Sequence, residues 1–240
     1  MIEQYAKKTL NKSKLYLKVN WLYKRCKYAF VNNRIAMNYF ESANPRKLQI
    51  GSGTNYLAGW LNTDIYPSNR IMFLDASKKF PFADCMFDYV FNEQFIEHLA
   101  YLDGVRFVQE CYRVLKFGGK LRIFTPDLKF LVELYNENKT ELQKEYIMRV
   151  AAHGYALDTF IINNFFYLNT PRGWGHKFIY DYKVLEQLLF LCKFVDVKRC
   201  IVGESDDRNL RGIELHGRVL EHEAFNRFES MAVEARKVSV

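Results

Sequence analysis

Three strand-like segments that each end in glycine or a carboxylate constrain this chain more than any other feature. The first, Lys47-Leu-Gln-Ile-Gly-Ser-Gly-Thr-Asn55, closes in Gly-x-Gly; the second closes in Asn62-Thr63-Asp64 and the third in Phe73-Leu74-Asp75. In an open parallel sheet, ligands sit in the crevice beyond the carboxyl ends of the strands, so a glycine turn and two aspartates there outline a nucleotide-shaped pocket. Gly51 and Gly53 let backbone approach a ligand closely and tolerate positive φ. Asp64 has the acceptor capacity for two ribose hydroxyls, and Asp75 for an exocyclic amine.

From Arg46 onward, strand and helix alternate. Segments 47–51, 60–65, 71–74, 87–91 and 120–125 are short, apolar and rich in β-branched or aromatic residues, and the last follows the turn signal Lys116-Phe-Gly-Gly119. Residues 103–116 set Val105, Val108, Cys111, Tyr112 and Leu115 on one side, as a crossover helix does. This alternation predicts an α/β domain with a largely parallel sheet and right-handed crossovers. Too few residues separate Gly51 from Trp60 for an ordinary parallel crossover, so the first helix is expected to be a stub. Residues 128–175 read as a helical insertion over the cleft. An antiparallel strand pair is expected from 194–202 and 212–220, and the polar residues 223–240 read as a loosely held tail. The predicted organisation is thus an arm over 1–45, a domain over 46–222 and a tail over 223–240.

The charge is unevenly placed. Residues 1–46 hold ten Lys or Arg against Glu3 and Glu41, which accounts for the whole net charge of +8, while the remainder balances 25 basic against 25 acidic residues. A neutral body argues against a protein that grips nucleic acid across its main face. Cys26, Cys85, Cys111, Cys192 and Cys200 are scattered and never form Cys-x-x-Cys, which speaks against a zinc site of that type and against a disulfide framework. With no apolar run of about 18 residues and no signal-like h-region, a cytoplasmic location is expected. Within 12–31, Leu15, Val19, Leu22, Cys26, Ala29 and Phe30 recur at helical spacing among lysines and the aromatics Trp21, Tyr23 and Tyr28. Two readings of this basic amphipathic helix stand side by side: it packs over the domain with solvated lysines, or residues 1–40 make peripheral contact with a membrane or another anionic partner.

In order along the chain, Ile50-Gly-Ser-Gly-Thr-Asn55, Gly59-Trp-Leu-Asn-Thr-Asp64, Leu74-Asp75, Phe87-Asp-Tyr-Val-Phe91 with Glu97-His98-Leu99, Arg113-Val-Leu-Lys-Phe-Gly-Gly119 and Leu121-Arg-Ile-Phe-Thr-Pro-Asp127 resemble the motifs of class I S-adenosylmethionine-dependent methyltransferases. The chain looks closest to small bacterial methyltransferases associated with surface-polysaccharide biosynthesis. The resemblance implies a Rossmann-like, seven-stranded, mostly parallel sheet with an antiparallel last strand, and S-adenosylmethionine as cofactor. Carried over by position, it implies that Gly51, Ser52 and Gly53 wrap the methionine end, that Asp64 with Ile65 holds the ribose, that Asp75 and Ala76 read adenine, and that Asn92 lines the methyl-donor end. Asn55 stands where the family usually has a third glycine; Asn tolerates left-handed conformations. The implied activity is O-methylation of a small-molecule or glycan acceptor. The alternative is a catalytically degenerate module of the same fold, docked through its basic helix.

Methyl transfer to a hydroxyl needs alignment of donor and acceptor and removal of a proton. His98 and His176 are the leading catalytic candidates, with His153, Asp127 and Glu214 behind them. Asp181, five residues beyond His176, is a candidate to orient its imidazole, and His216 reads as structural. No His-Glu-x-x-His or similar local spacing supports a metal. The nucleobase-type Asn/Asp-Pro-Pro-aromatic motif is replaced by Phe91-Asn-Glu-Gln-Phe95, which again argues against nucleic acid. The aromatics Phe160, Phe165, Phe166, Tyr167 and Trp174 are candidates for stacking on sugar rings.

Overall fold

In the computed structural model, which describes residues 32–151, 175–217 and 222–239, the apolar segments form β1 (Lys47–Ile50), β2 (Leu61–Asp64), β3 (Met72–Phe73), β4 (Phe87–Glu93) and β5 (Leu115–Pro126). Two more strands, β6 (Val195–Cys200) and β7 (Ser230–Arg236), complete one sheet in the order β3-β2-β1-β4-β5-β7-β6. The pairs from β3 to β5 are all parallel, and β7 runs antiparallel to both β5 and β6. Sequence order reverses between β1 and β4, which opens a crevice at their carboxyl ends.

Pairing puts Leu48, Val90 and Leu121 side by side on one face of the sheet. That face is buried by a helix over 32–42 (α1), by α2 (Tyr101–Val114) and by α5 (Tyr182–Leu191), whose Phe107, Val108, Cys111, Leu185, Leu188 and Leu189 join one apolar cluster with the strands. Burying such side chains contributes about 1.5–3 kcal/mol each. Gly104 of α2 is needed because a Cβ there would run into the Tyr180 hydroxyl. The opposite face carries Gln49, Phe91, Arg122 and Glu234 in register. No described helix covers Phe91 and Phe124; they pack instead with Trp60, Val202, Leu210 and Ile213. Arg122, fully buried, pairs with Glu214 and Glu234 beneath that cover.

The insertion after β5 begins as expected, with α3 (Leu128–Tyr135) and α4 (Glu141–Ala151), which pack with α6 (Glu223–Glu229) through Phe130, Leu134, Tyr146 and Phe225. Asp127 accepts from Lys129 N and caps α3.

Three expectations need correction. The stub helix after β1 is absent: residues 51–60 form turns, organised by the Asn62 side chain, which accepts from Leu57 N and donates to the carbonyls of Leu57 and Trp60. The partner of β6 is not 212–220 but β7, so the supposed tail is a strand buried in the middle of the sheet. Its polarity misleads because Glu234 is spent on Arg122, inside the fold. The domain also begins before residue 46: Ile35, Ala36, Tyr39 and Phe40 of α1 pack on the core, and the Asn32 side chain closes β3 by exchanging two hydrogen bonds with Phe73. The helix expected over 12–31 lies outside the described residues.

Candidate active site

A cleft of about 640 Å³ lies at the carboxyl ends of β1 to β4, lined at one end by Gly51, Gly53, Asp64, Ile65, Asp75 and Ala76. Its floor is built by backbone geometry. Gly51 has φ +68° and Gly53 φ +50°, and a Cβ on Gly51 would overlap the Phe95 ring. The turn is tied down by Ser52 N donating to the Thr63 carbonyl at 3.0 Å and by Asn55 N donating to the Ser52 carbonyl at 2.8 Å. Asp64 accepts from Gly53 N on one oxygen and from Tyr66 N on the other, each at 2.8 Å, which fixes its carboxylate at the rim. Asp75 accepts from the amide and hydroxyl of Ser77 on a single oxygen. Both carboxylates keep lone pairs for a ligand.

The other end is assembled from distant segments. Past β4 the chain turns through Gln94, at φ +49°, whose side chain is held by Ser230, and enters a 3-10 turn, Ile96–His98. The Glu97 carbonyl accepts from Lys177 N at 2.7 Å and from Phe178 N at 3.2 Å, which lays residues 176–178 against this turn. The rings of His98 and His176 then sit 4.9 Å apart at 55°. Glu97 is fully buried, and one of its oxygens accepts from the Thr125 hydroxyl at 2.9 Å. Burial pushes its carboxyl up to about 7, against the opposing effects of its own backbone amide and of the Thr125 hydroxyl. Burial also holds His98 below the ordinary imidazole range, with Lys177 adding to the effect and a hydrogen bond to the Gly175 backbone opposing it. A neutral imidazole can accept a proton near pH 7. Gln94, Phe95, His98, Gly175 and Lys177 all line the cleft.

A family model described as a methyltransferase domain matches residues 48–123. That stretch runs from β1 into β5 and holds the glycine turn, Asp64, Asp75 and His98; His176 and the α3–α4 insertion lie outside it. No curated protein matches the chain significantly. Among solved structures, it is similar to a phosphoethanolamine N-methyltransferase 2 from Haemonchus contortus in complex with phosphomonomethylethanolamine and S-adenosylhomocysteine, at 16% identity over 81% of this chain and 49% of that one, with a TM-score of 0.44. The chain spans about half the length of that structure. A SAM-dependent methyltransferase from Archaeoglobus fulgidus is 19% identical over 88% of this chain and 94% of its own, with a TM-score of 0.46. One from Mesorhizobium loti is 13% identical over 80% and 90%, with a TM-score of 0.49.

Of the expected cofactor residues, six line the cleft and two do not. Ser52 is buried beneath the turn, and Asn92 is fully buried in β4 beside Ile50 and Ile123, with no hydrogen-bond partner for its amide among the described residues. The place expected for Asn92 is taken by Gln94, the first residue past β4. Asp181 does not orient His176: it caps α5 by accepting from Val184 N. Asp127 is tied to Arg199 and Glu214 to Arg122, so neither serves the cleft. His216 lies not on the expected strand but at the start of a helical segment, and it pairs with Glu229 at 2.7 Å. Its value is raised, because the hydrogen bond and charge of Glu229, with Glu93 and Glu97, outweigh the opposing effect of burial. His153 and the aromatics at 160–174 lie outside the described residues. Local spacing missed Glu97 as a site residue, since a fully buried acid inside a strand-exit motif reads as packing. It also missed that Glu97, His98 and His176 offer ligand atoms all within 4.8 Å of one another. The expectation of no metal therefore rested on neighbours in sequence only.

Proposed function

We propose that this protein is an S-adenosylmethionine-dependent methyltransferase that transfers the methyl group to a hydroxyl of a small or carbohydrate-like acceptor. The observation that carries the reading is a single cleft with glycine turn, Asp64 and Asp75 at one end and His98 at the other, the His98 ring packed against His176, which stands behind the lining. The first end offers a nucleoside and amino-acid ligand backbone contacts and carboxylates; the second offers an acceptor hydroxyl a nearby imidazole. The acceptor oxygen attacks the sulfonium methyl in line, the new C–O bond forms as the C–S bond breaks, and the electron pair stays on sulfur. His98 and His176 assist departure of the hydroxyl proton. Sugar as the acceptor class rests on the sequence resemblance to polysaccharide-associated methyltransferases.

Calorimetric titration with S-adenosylmethionine and S-adenosylhomocysteine tests the cofactor, followed by a methyl-transfer screen that begins with sugars. Micromolar binding and turnover on a hydroxyl acceptor support the reading; a folded protein that binds neither ligand rejects it. Peripheral contact of the N-terminal segment with anionic lipid belongs to the same proposal. The truncation that tests it stops at residue 31, because α1 is part of the core. Removal of residues 1–31 is expected to weaken binding to anionic vesicles at low salt while leaving cofactor affinity unchanged. Unchanged vesicle binding would remove the membrane contact.

A further inference from the structure

We infer that Glu97, His98 and His176 bind a divalent transition-metal ion, of the zinc class, at the acceptor end of the cleft. The inference rests on the methyltransferase reading for its role, though not for its geometry. Two imidazoles and one carboxylate converge with ligand atoms within 4.8 Å of one another. This donor set suits zinc and its neighbours, and three protein ligands leave positions open for an outside oxygen. Bond lengths of about 2.0–2.1 Å put the ligands of a tetrahedral ion roughly 3.4 Å apart, so side-chain movements of about 1 Å close the site.

A second, independent observation points the same way. Glu97 is fully buried, its Oε2 accepts from Thr125, and its Oε1 has no hydrogen-bond partner among the described residues. A buried oxygen left without a partner costs about 1–3 kcal/mol. A cation there would remove that cost. The three residues are also held as metal ligands usually are, by a further layer of hydrogen bonds. Thr125 fixes the carboxylate, the backbone of Gly175 bonds to His98, and Lys177 N and Phe178 N clamp the segment bearing His176 onto Glu97.

The ion would take the acceptor hydroxyl oxygen in an open position beside His98. It acts as a Lewis acid: it lowers the pKa of the hydroxyl, the proton passes to solvent, and the oxygen is held for attack on the methyl carbon. No electron is gained or lost by the metal. His98 and His176 then assist proton removal as ligands rather than as free bases.

The test uses the full chain, stripped with a chelator and titrated with Co2+ by visible absorption and with Zn2+ by calorimetry. One ion per chain, with the ligand-field bands of Co2+ bound to nitrogen and oxygen, is the expected result. Glu97→Gln and His176→Ala should each weaken Co2+ binding by about tenfold to hundredfold or more. Both variants should keep S-adenosylmethionine affinity within about threefold, since neither side chain is among those lining the cofactor end of the cleft. His176→Ala carries the test if Glu97→Gln fails to fold. Absence of Co2+ binding in the parent protein, or binding unaffected by His176→Ala, overturns the metal site and leaves the methyltransferase reading standing. Metal binding without any cofactor binding would instead sink the methyltransferase reading and leave the site.

Discussion

The two ends of the cleft are made in different ways. The cofactor end lies within residues 51–77 and is shaped by backbone: left-handed glycines, amides that pin Asp64, and the Ser77 contacts on Asp75. The end proposed for the acceptor brings Glu97 and His98 against His176, joined by hydrogen bonds from two amides to one carbonyl and braced by Thr125 of β5. A local, backbone-built site tolerates change elsewhere in the chain, whereas a site joined across the sequence depends on every segment that frames it. From the glycine turn a chain of polar contacts runs to α4. Asn55 of the glycine turn donates to Glu93, which accepts from Leu215 N and His216 N; His216 pairs with Glu229, which accepts from Tyr146 of α4.

Asp64→Ala should break the cofactor end most severely. It removes the partner of two backbone amides, Gly53 N and Tyr66 N, along with the carboxylate offered to the ligand. Hydrogen bonds to a charged group contribute about 1.5–3 kcal/mol each, so a loss of about 100-fold in S-adenosylmethionine affinity is expected by calorimetry. The same titration on His176→Ala separates the two ends. Equal losses in both variants would mean that the ends do not act independently.

Gly51→Ala should have the next largest effect, and through a different cause. The added Cβ meets the Phe95 ring, and φ +68° is strained for any residue with a Cβ. Phe95 lines the cleft and packs on Phe107, so the ring has little room to retreat. A tenfold loss of cofactor affinity and a loss of about 1–2 kcal/mol in stability are expected, read by calorimetry and thermal unfolding. Gly53→Ala shares the left-handed strain but meets nothing, and so should lose less. If Gly53→Ala were the more damaging of the two, the close approach of Phe95 would not be what requires glycine.

This difference also explains what the sequence made legible. Gly51, Gly53, Asp64 and Asp75 stand at strand ends, where residue type and position share a cause, and all four line the cleft. The largely parallel sheet followed from alternation, and its seven strands with an antiparallel last one from the resemblance. By contrast, β7 was hidden because Glu234 makes a buried strand look like a polar tail, although its charge is consumed by Arg122. Asn92 was misplaced because β4 runs two residues beyond the expected 87–91 before the chain turns left-handed at Gln94. Glu97 and His176 meet only through Lys177 N and Phe178 N bonding to one carbonyl, a contact that no local period encodes.

The smallest expected effect tests, by pH, the polar link between the glycine turn and α4. His216 has a raised value in the fold, so its pairing with Glu229 stabilises fully below the ordinary imidazole value of about 6.5 and is lost as pH rises through the folded value. Glu97 works in a lower window: with its carboxyl pushed up to about 7, the fold loses stability as pH climbs from the ordinary carboxylate range toward 7. The two contributions have the same sign and different positions, so the parent protein alone cannot separate them. His216→Gln can, because it leaves Glu97 in place. Below pH 6.5 the variant should be about 1 kcal/mol less stable than the parent, and the gap should shrink as the pH is raised well past that value. In thermal unfolding this is a difference of about 2–4 °C that fades with alkalinity. A gap that stayed constant across the range would mean that His216 holds its segment by packing alone. A gap that narrowed as predicted, with cofactor affinity unchanged, would show that the link is an ion pair bracing the frame and that the cofactor end stands without it.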